Sequence, residues 1–246
     1  MVRTAAACEL NIAGVTPFST VDWPDMMTAT VFLQGCPWSC FYCHNPALID
    51  PRAEGAVSWA DVTDLLCDRM GLLDGVVFSG GEPTLQHALV PAMQMVRSLG
   101  FRVGLHTAGA YPGLLAQALP FVDWVGLDIK ATPDDYANVT GRAPSGAHAW
   151  RSLELVLGNR LLRAGSDHPL DYEVRTTVHP AAIDDAALRE LGCRLADAGV
   201  DTWAVQRFRE TGARQPLPRV STTDAEAAPL RLDDLPVERF RSLVIR

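Results

Sequence analysis

Cys36-Pro37-Trp38-Ser39-Cys40-Phe41-Tyr42-Cys43 places three thiols within eight residues, directly after the apolar run 28–33 (Thr-Ala-Thr-Val-Phe-Leu). Gly35 and Pro37 mark the stretch as a loop that follows a strand. Three thiolates this close together can bind one metal centre. Three is also one short of a closed four-thiolate site, whether zinc or iron–sulfur. If the centre is a [4Fe–4S] cluster, one iron has no protein thiolate, and a small molecule with an amine and a carboxylate can chelate there. Two alternatives compete. Cys36, Cys40, Cys43 and His44 could form a zinc site, although adjacent Cys43 and His44 are awkward for a tetrahedron and zinc sites usually pair two separated ligand clusters. Cys40 and Cys43 could form a redox pair, but no thioredoxin-like pattern surrounds them.

Moving outward from this loop, apolar runs alternate with helical patterns. Strands are expected at 28–33, 75–78, 102–106, 122–128, 172–178 and 202–206. Helices are expected at 59–70 with Ser58 as N-cap, 87–99, 112–119 with Pro112 in the first turn, 147–163 and 184–198. Gly71, Gly100 and Gly199 follow three of these helices, where a C-terminal glycine belongs. Strands alternating with helices predict a parallel sheet with crossover helices, hence an α/β fold, doubly wound or barrel. Segment 9–25 is expected to add a strand or hairpin before the repeat. Segment 211–230, rich in Pro, Arg and Thr without apolar period, reads as a surface loop or mobile tail. Beyond it, 232–246 reads as a short helix followed by an edge strand from Ser242. The chain is read as one domain spanning 1–246.

Chemical side chains gather at the C-terminal ends of these strands, where ligands lie in parallel α/β folds. Strand one runs into the cysteine loop and strand two into Ser79-Gly80-Gly81-Glu82-Pro83. Strand three ends in His106-Thr107, strand four in Asp128-Ile129-Lys130. The fifth carries Arg175 and Thr177, and the sixth ends in Gln206-Arg207-Phe208. Gly80 and Gly81 are either a plain turn or a place where backbone lies close against a ligand. His106 is either a satisfied core histidine or a site residue. Asp128 and Lys130 alternate, so they face one side and either pair with each other or hold a ligand's hydroxyl and carboxylate. Arg175 within a strand needs an anionic partner, internal or bound. Trp38 reads as packing.

Composition bounds the rest. The 246 residues are 48% hydrophobic and 20% charged, enough for one or two globular domains. A net charge of −8 argues against a duplex nucleic-acid binder. The first residues are too poor in apolar side chains for a signal peptide, and no run is long enough to span a bilayer. Six cysteines, three of them in one cluster, do not describe a secreted disulfide scaffold, and a cytoplasmic protein is expected. Cys67 and Cys193, lying in helical patterns, are expected in the core.

Cys36-x3-Cys40-x-Tyr42-Cys43 followed by Gly80-Gly81-Glu82-Pro83 resembles the radical S-adenosylmethionine (SAM) superfamily, over about Ile12 to Phe208. The resemblance implies a partial (β/α)6 TIM-like barrel in which Cys36, Cys40 and Cys43 hold a [4Fe–4S] cluster. It further implies that Gly80, Gly81 and Glu82 contact the methionine amine of SAM. Tyr42, His106, Asp128, Lys130 and Arg175 then hold the carboxylate, ribose and nearby groups. Asparagine or aspartate often stands near the position of His106. Ser19-Thr20-Val21-Asp22-Trp23-Pro24, Val31-Phe32-Leu33-Gln34-Gly35-Cys36 and Cys43-His44-Asn45-Pro46 resemble the glycyl-radical-enzyme activases. Segments 125–130, 174–180 and 205–209 are most similar to those of the anaerobic ribonucleoside-triphosphate reductase activating group. That resemblance implies reductive cleavage of SAM, then removal of a hydrogen from a glycine of a partner enzyme, with a flavodoxin-like electron donor. The alternatives are activation of pyruvate formate-lyase or another glycyl radical enzyme, a small-molecule radical SAM enzyme such as a 7-carboxy-7-deazaguanine synthase, and a non-catalytic metal-binding or electron-transfer module. No further cysteine cluster lies between Cys43 and Gly80, so a single cluster is expected.

Overall fold

The computed structural model describes residues 5–217 and 234–246. The six expected strands form β2 (Thr28–Leu33), β3 (Gly75–Gly80), β4 (Arg102–Thr107), β5 (Trp124–Asp128), β6 (Asp171–Val178) and β7 (Thr202–Arg207). They lie side by side in chain order and all run parallel. Each edge carries one more strand. β1 (Ile12–Ser19) pairs antiparallel with β2, and β8 (Ser242–Ile245) pairs parallel with β7. β1 is the strand expected within 9–25, and β8 the edge strand expected from Ser242.

Helices α1 (Trp59–Asp68), α2 (Leu89–Ser98), α3 (Pro112–Ala118), α5 (Ser145–Leu162) and α6 (Asp185–Asp197) occupy the expected crossovers. Ser58 and Asp61 form a reciprocal capping box at the start of α1, and the Asp184 carboxylate accepts from Ala187 N to start α6. The short helix α4 (Tyr136–Thr140) was not expected; five residues are too few to show a helical period.

Alternation along each strand splits the sheet into two faces. Val31, Leu33, Val76, Phe78, Val103, Leu105, Val125, Leu127, Val174 and Val205 pack with the helices in one continuous core. Each such side chain contributes about 1.5–3 kcal/mol when fully buried. The opposite face carries Ser79, His106, Asp128, Arg175, Thr177 and Gln206 near the strand ends. Below them lies a small apolar floor of Trp23, Val77 and Trp124, with the two tryptophan rings stacked 5.7 Å apart.

Cys67 and Cys193 are not core residues: Cys67 is exposed and Cys193 half-buried. The buried stripes are Trp59, Val62 and Leu66 on α1, and Leu188, Leu191, Gly192 and Leu195 on α6. Each cysteine sits one position past its stripe and so is turned about 100° away from it. Of the expected loop 211–230, residues 218–230 lie outside the described residues, while 211–217 lie near the cysteine loop.

Candidate functional site

The cysteine loop leaves the end of β2 at Gly35, whose φ of 98° is open to glycine at little cost. Gly35 N donates to Leu48 O at 2.9 Å and Cys36 N to Ile49 O at 3.0 Å. Ser39 N donates to Thr140 O at 3.0 Å, and Cys43 N closes a turn on Cys40 O at 3.2 Å. Trp38 is buried with its ring edge-on to Tyr136, the packing role expected of it. Cys40 is buried; Cys36 and Cys43 are half-buried. Burial pushes the Cys36 thiol up to about 12 and also raises Cys40, whose largest opposing influence is the Lys130 ammonium. His44 Nε2–H donates to Arg209 O at 2.8 Å, so this nitrogen is engaged away from the thiols. Among the described residues no three His, Cys, Asp or Glu side chains converge on a point that would hold a single metal ion.

Gly80 and Gly81 tie the end of β3 to this loop. Gly81 N donates to Leu33 O at 2.9 Å and Glu82 N to Gly35 O at 2.8 Å. Gly80 has φ 119°, and a Cβ there would overlap the Leu33 backbone; one at Gly81 would overlap the Gly35 carbonyl oxygen. The close approach expected of these glycines is therefore made, on this side, to the protein's own backbone. Glu82 is wholly buried. Its Oε1 accepts from Thr84 N (3.1 Å), Thr84 Oγ1 (2.6 Å) and Thr107 Oγ1 (2.6 Å), and its Oε2 from Ala108 N (2.8 Å). Burial raises its carboxyl above the ordinary range, opposed by these four donors. The carboxylate ties the end of β3 to the end of β4.

The polar side chains of the next strands meet on the inner face. Asp128 is the hub: Lys130 Nζ lies 3.0 Å from Oδ2 and Arg175 Nε 3.3 Å from Oδ1. Burial alone would raise the Asp128 carboxyl, but Lys130 and Arg175 hold it below the usual range. Lys130 is held well above its ordinary value, because Asp128 outweighs the burial that would lower it. Both sequence alternatives for Arg175 and Lys130 thus begin from an internal pair. Arg175 Nη2 also donates to Gly126 O at 3.2 Å. His106 sits beneath. Its Nε2 lies 2.6 Å from Asp22 O, which can only accept, and 3.2 Å from Arg175 Nη1, which can only donate; the shorter contact favours the proton on Nε2, with Nδ1 accepting from Ser79 Oγ at 3.2 Å. Burial, then the Arg175 charge, drives the imidazole down to about 3, so it is neutral at physiological pH. His106 is half-buried, and through Asp22 O it contacts the 20–25 turn. Asp22 Oδ2 also accepts from Thr30 Oγ1 at 2.6 Å.

Beside this hub opens a cleft of about 680 Å³ between the 20–25 turn and the end of β7, lined by Asp22, Asp25, Arg175, Arg207, Arg209 and Arg246 among others. Sequence reading missed Arg246 and Arg209, and also the ring group around Tyr42. Phe208 lies 4.7 Å from His179 and 6.3 Å from Tyr42, ring centre to ring centre. His179 follows directly on the end of β6, and the strand-end rule could have found it.

The donor set fits an iron–sulfur centre that binds a further small molecule. Three soft thiols share one loop, with no fourth cysteine on it. Tyr42 Oη is buried without a hydrogen-bond partner, and Arg175 Nε is buried against Asp128 without an aligned bond. Native interiors rarely leave such atoms unpaired, and a bound group at this place would meet them.

The model of the radical SAM superfamily matches residues 30–167, more than half of the chain. A candidate glycyl-radical enzyme activating enzyme of Methanocaldococcus jannaschii is 27% identical over 206 residues, covering 82% of this chain and 81% of that one. The pyruvate formate-lyase-activating enzyme of Clostridium pasteurianum is 34% identical over 144 residues, covering 55% of this chain and 59% of its own. Streptococcus suis SuiB bound to S-adenosylmethionine superposes with a TM-score of 0.58 at 14% identity, over 87% of this chain. The chain spans about half of SuiB, 48% of its length, and the likeness is one of fold. The sheet is accordingly the partial β/α barrel expected of that fold. With the matched span running from β2 through the cysteine loop, Gly80-Gly81 and Asp128 to α5, the chain belongs to the radical SAM superfamily, an oxidoreductase whose cofactors are a [4Fe–4S] cluster and S-adenosylmethionine.

Proposed function

We propose that this enzyme activates a glycyl radical enzyme by removing a hydrogen from one glycine of that partner. The observation that carries the reading is its similarity, over most of its length, to the Methanocaldococcus protein named for that activity, joined by the similarity to the Clostridium enzyme. The cleft supports it: it opens beside Asp128 and Arg175 and is large enough, at about 680 Å³, to admit a loop of a partner chain.

Cys36, Cys40 and Cys43 would hold the cluster. SAM would lie against Tyr42, Gly80 and Gly81, with Lys130 and Arg175 offering cations to its carboxylate and Asp128 accepting from its hydroxyls. When bound, these two groups supply one-electron cleavage of the sulfonium carbon–sulfur bond. The chain's part is to bind, orient and exclude water. Glu82 and His106 act from behind, Glu82 by fixing the β3–β4 ends and His106 by fixing the 20–25 turn. No proton transfer by a side chain is required.

Among partners, the segments 125–130, 174–180 and 205–209 favour anaerobic ribonucleoside-triphosphate reductase. The Clostridium relative favours pyruvate formate-lyase equally. A flavodoxin-like donor and a cytoplasmic setting complete the proposal; no helix of the described residues is long and apolar enough to cross a membrane. The test mixes reduced, iron-loaded protein and SAM with each purified partner under anaerobic conditions and records the EPR spectrum. A glycyl doublet with the reductase supports the first partner, and a doublet with formate-lyase alone reassigns it. Silence with both partners while SAM is still cleaved would overturn the activase reading.

A further inference from the structure

The residues that follow β7 return to the cysteine loop and fasten it. Arg214 N donates to Cys43 O at 2.8 Å. Its guanidinium Nη1 donates to Ser39 Oγ and, at 3.4 Å, to Ser39 O. One residue thus bonds both flanks of the Cys40–Cys43 turn, by main chain on one side and side chain on the other. Two neighbours reinforce the contact. Arg209 O accepts from His44 Nε2 at 2.8 Å, and the Phe208 ring lies 5.3 Å from that of His44. Within the loop, the Cys43 N to Cys40 O bond is the link that closes this turn, and Ser39 N to Thr140 O anchors its start. Arg214 is half-buried, and its contacts with Ser39 set its charge beside the loop.

We propose that Arg214 is a positioning residue for the iron–sulfur centre: it holds the Cys40–Cys43 turn in its ligating shape and places a positive charge beside it. The inference rests on the cluster reading of the loop and is independent of which partner is activated. Two consequences follow. The ligands are preorganised, so iron should leave slowly. The charge favours the more negative, reduced form of the centre, so the potential should sit higher than without it.

The experiment uses the full chain, reconstituted anaerobically, and reads iron release to a chelator together with the midpoint potential. R214A is expected to lose iron about tenfold faster, the scale of a lost outer-shell contact, and to show a lower potential. R214K is expected to restore the potential but only part of the iron retention, because the lysine nitrogen sits one bond nearer the backbone than Arg214 Nη1 and reaches Ser39 less well. S39A covers the case in which R214A does not fold. It removes the Oγ acceptor and keeps the charge, so iron should leave faster at an unchanged potential, and the double variant should be no worse than R214A alone. Wild-type iron release in S39A, or wild-type release and potential in R214A, would overturn the proposal. A wild-type chain that takes up no iron would instead overturn the cluster reading, and this inference with it.

Discussion

Replacing Glu82 tests whether that residue is a frame or a ligand contact. In the wholly buried site its carboxylate accepts from two amides, Thr84 N and Ala108 N, and two hydroxyls, on Thr84 and Thr107. In E82A the hydroxyls can turn to other acceptors, but the two amides cannot. At about 1–3 kcal/mol for each unsatisfied buried group, the loss is about 2–6 kcal/mol. That is a large share of the roughly 5–15 kcal/mol that holds a typical domain folded. E82Q keeps an oxygen for three of the donors and turns an NH2 toward Ala108 N, so it loses one amide bond. Part of that loss is offset because burial disfavours the ionised carboxylate. E82Q should therefore fall between the wild type and E82A. The sign of the pH effect follows. The folded carboxyl lies above the ordinary 4.5, so its contribution is complete below 4.5 and is lost as pH rises through the higher folded value. The wild type should thus gain on E82Q as pH falls from 7 toward 4.5. The assay is anaerobic urea unfolding of the iron-free proteins, followed by tryptophan fluorescence, with SAM binding measured in parallel on the iron-loaded forms. An E82A protein with the wild-type urea midpoint that has lost SAM binding would refute the frame and make Glu82 a ligand contact.

His106 is neutral in the folded protein because its imidazole sits near 3, against an ordinary 6.5. Its stabilising contribution is full above 6.5 and is lost as pH falls toward 3, so H106Q should flatten the stability profile in that window when unfolding is followed by circular dichroism. G81A forces a methyl onto the Gly35 carbonyl oxygen and should cost about 1–3 kcal/mol or more as overpacking; iron analysis after reconstitution should fall short of the wild type. C40A should lower the iron content from about four per chain and abolish reductive SAM cleavage, measured as methionine released; retained cleavage removes Cys40 from the ligand set.

The parallel sheet was readable because β2, β3 and β5 are short, largely apolar runs and β4, β6 and β7 put apolar side chains at alternate positions, all set between helical periods. The ends of those strands pointed to the site for the same reason. What the residues could not disclose was the direction of each polar bond. Glu82 and His106 stand at strand ends as ligand-binding groups would, yet their partners are Thr84, Thr107 and Ala108 for the one and Ser79, Asp22 and Arg175 for the other, chosen by tertiary proximity. Gly80 and Gly81 signalled close approach without saying to what. Cys67 and Cys193 were misplaced by one residue of helical rotation. Arg214 carried no signal at all: it lies in an aperiodic stretch, and its partner Ser39 is 175 positions away.

That separation bears on how the enzyme is made. During translation Ser39 and the cysteine loop emerge well before Arg214, which lies 175 positions further along the chain. The closed form of the cysteine turn depends on a contact between residues 175 positions apart, and contacts of such long range form late. A nascent chain therefore presents an unlatched thiol loop until Arg214 has been made and has docked. The ligating shape is complete only once the stretch from Phe208 to Arg214 has folded back onto the loop.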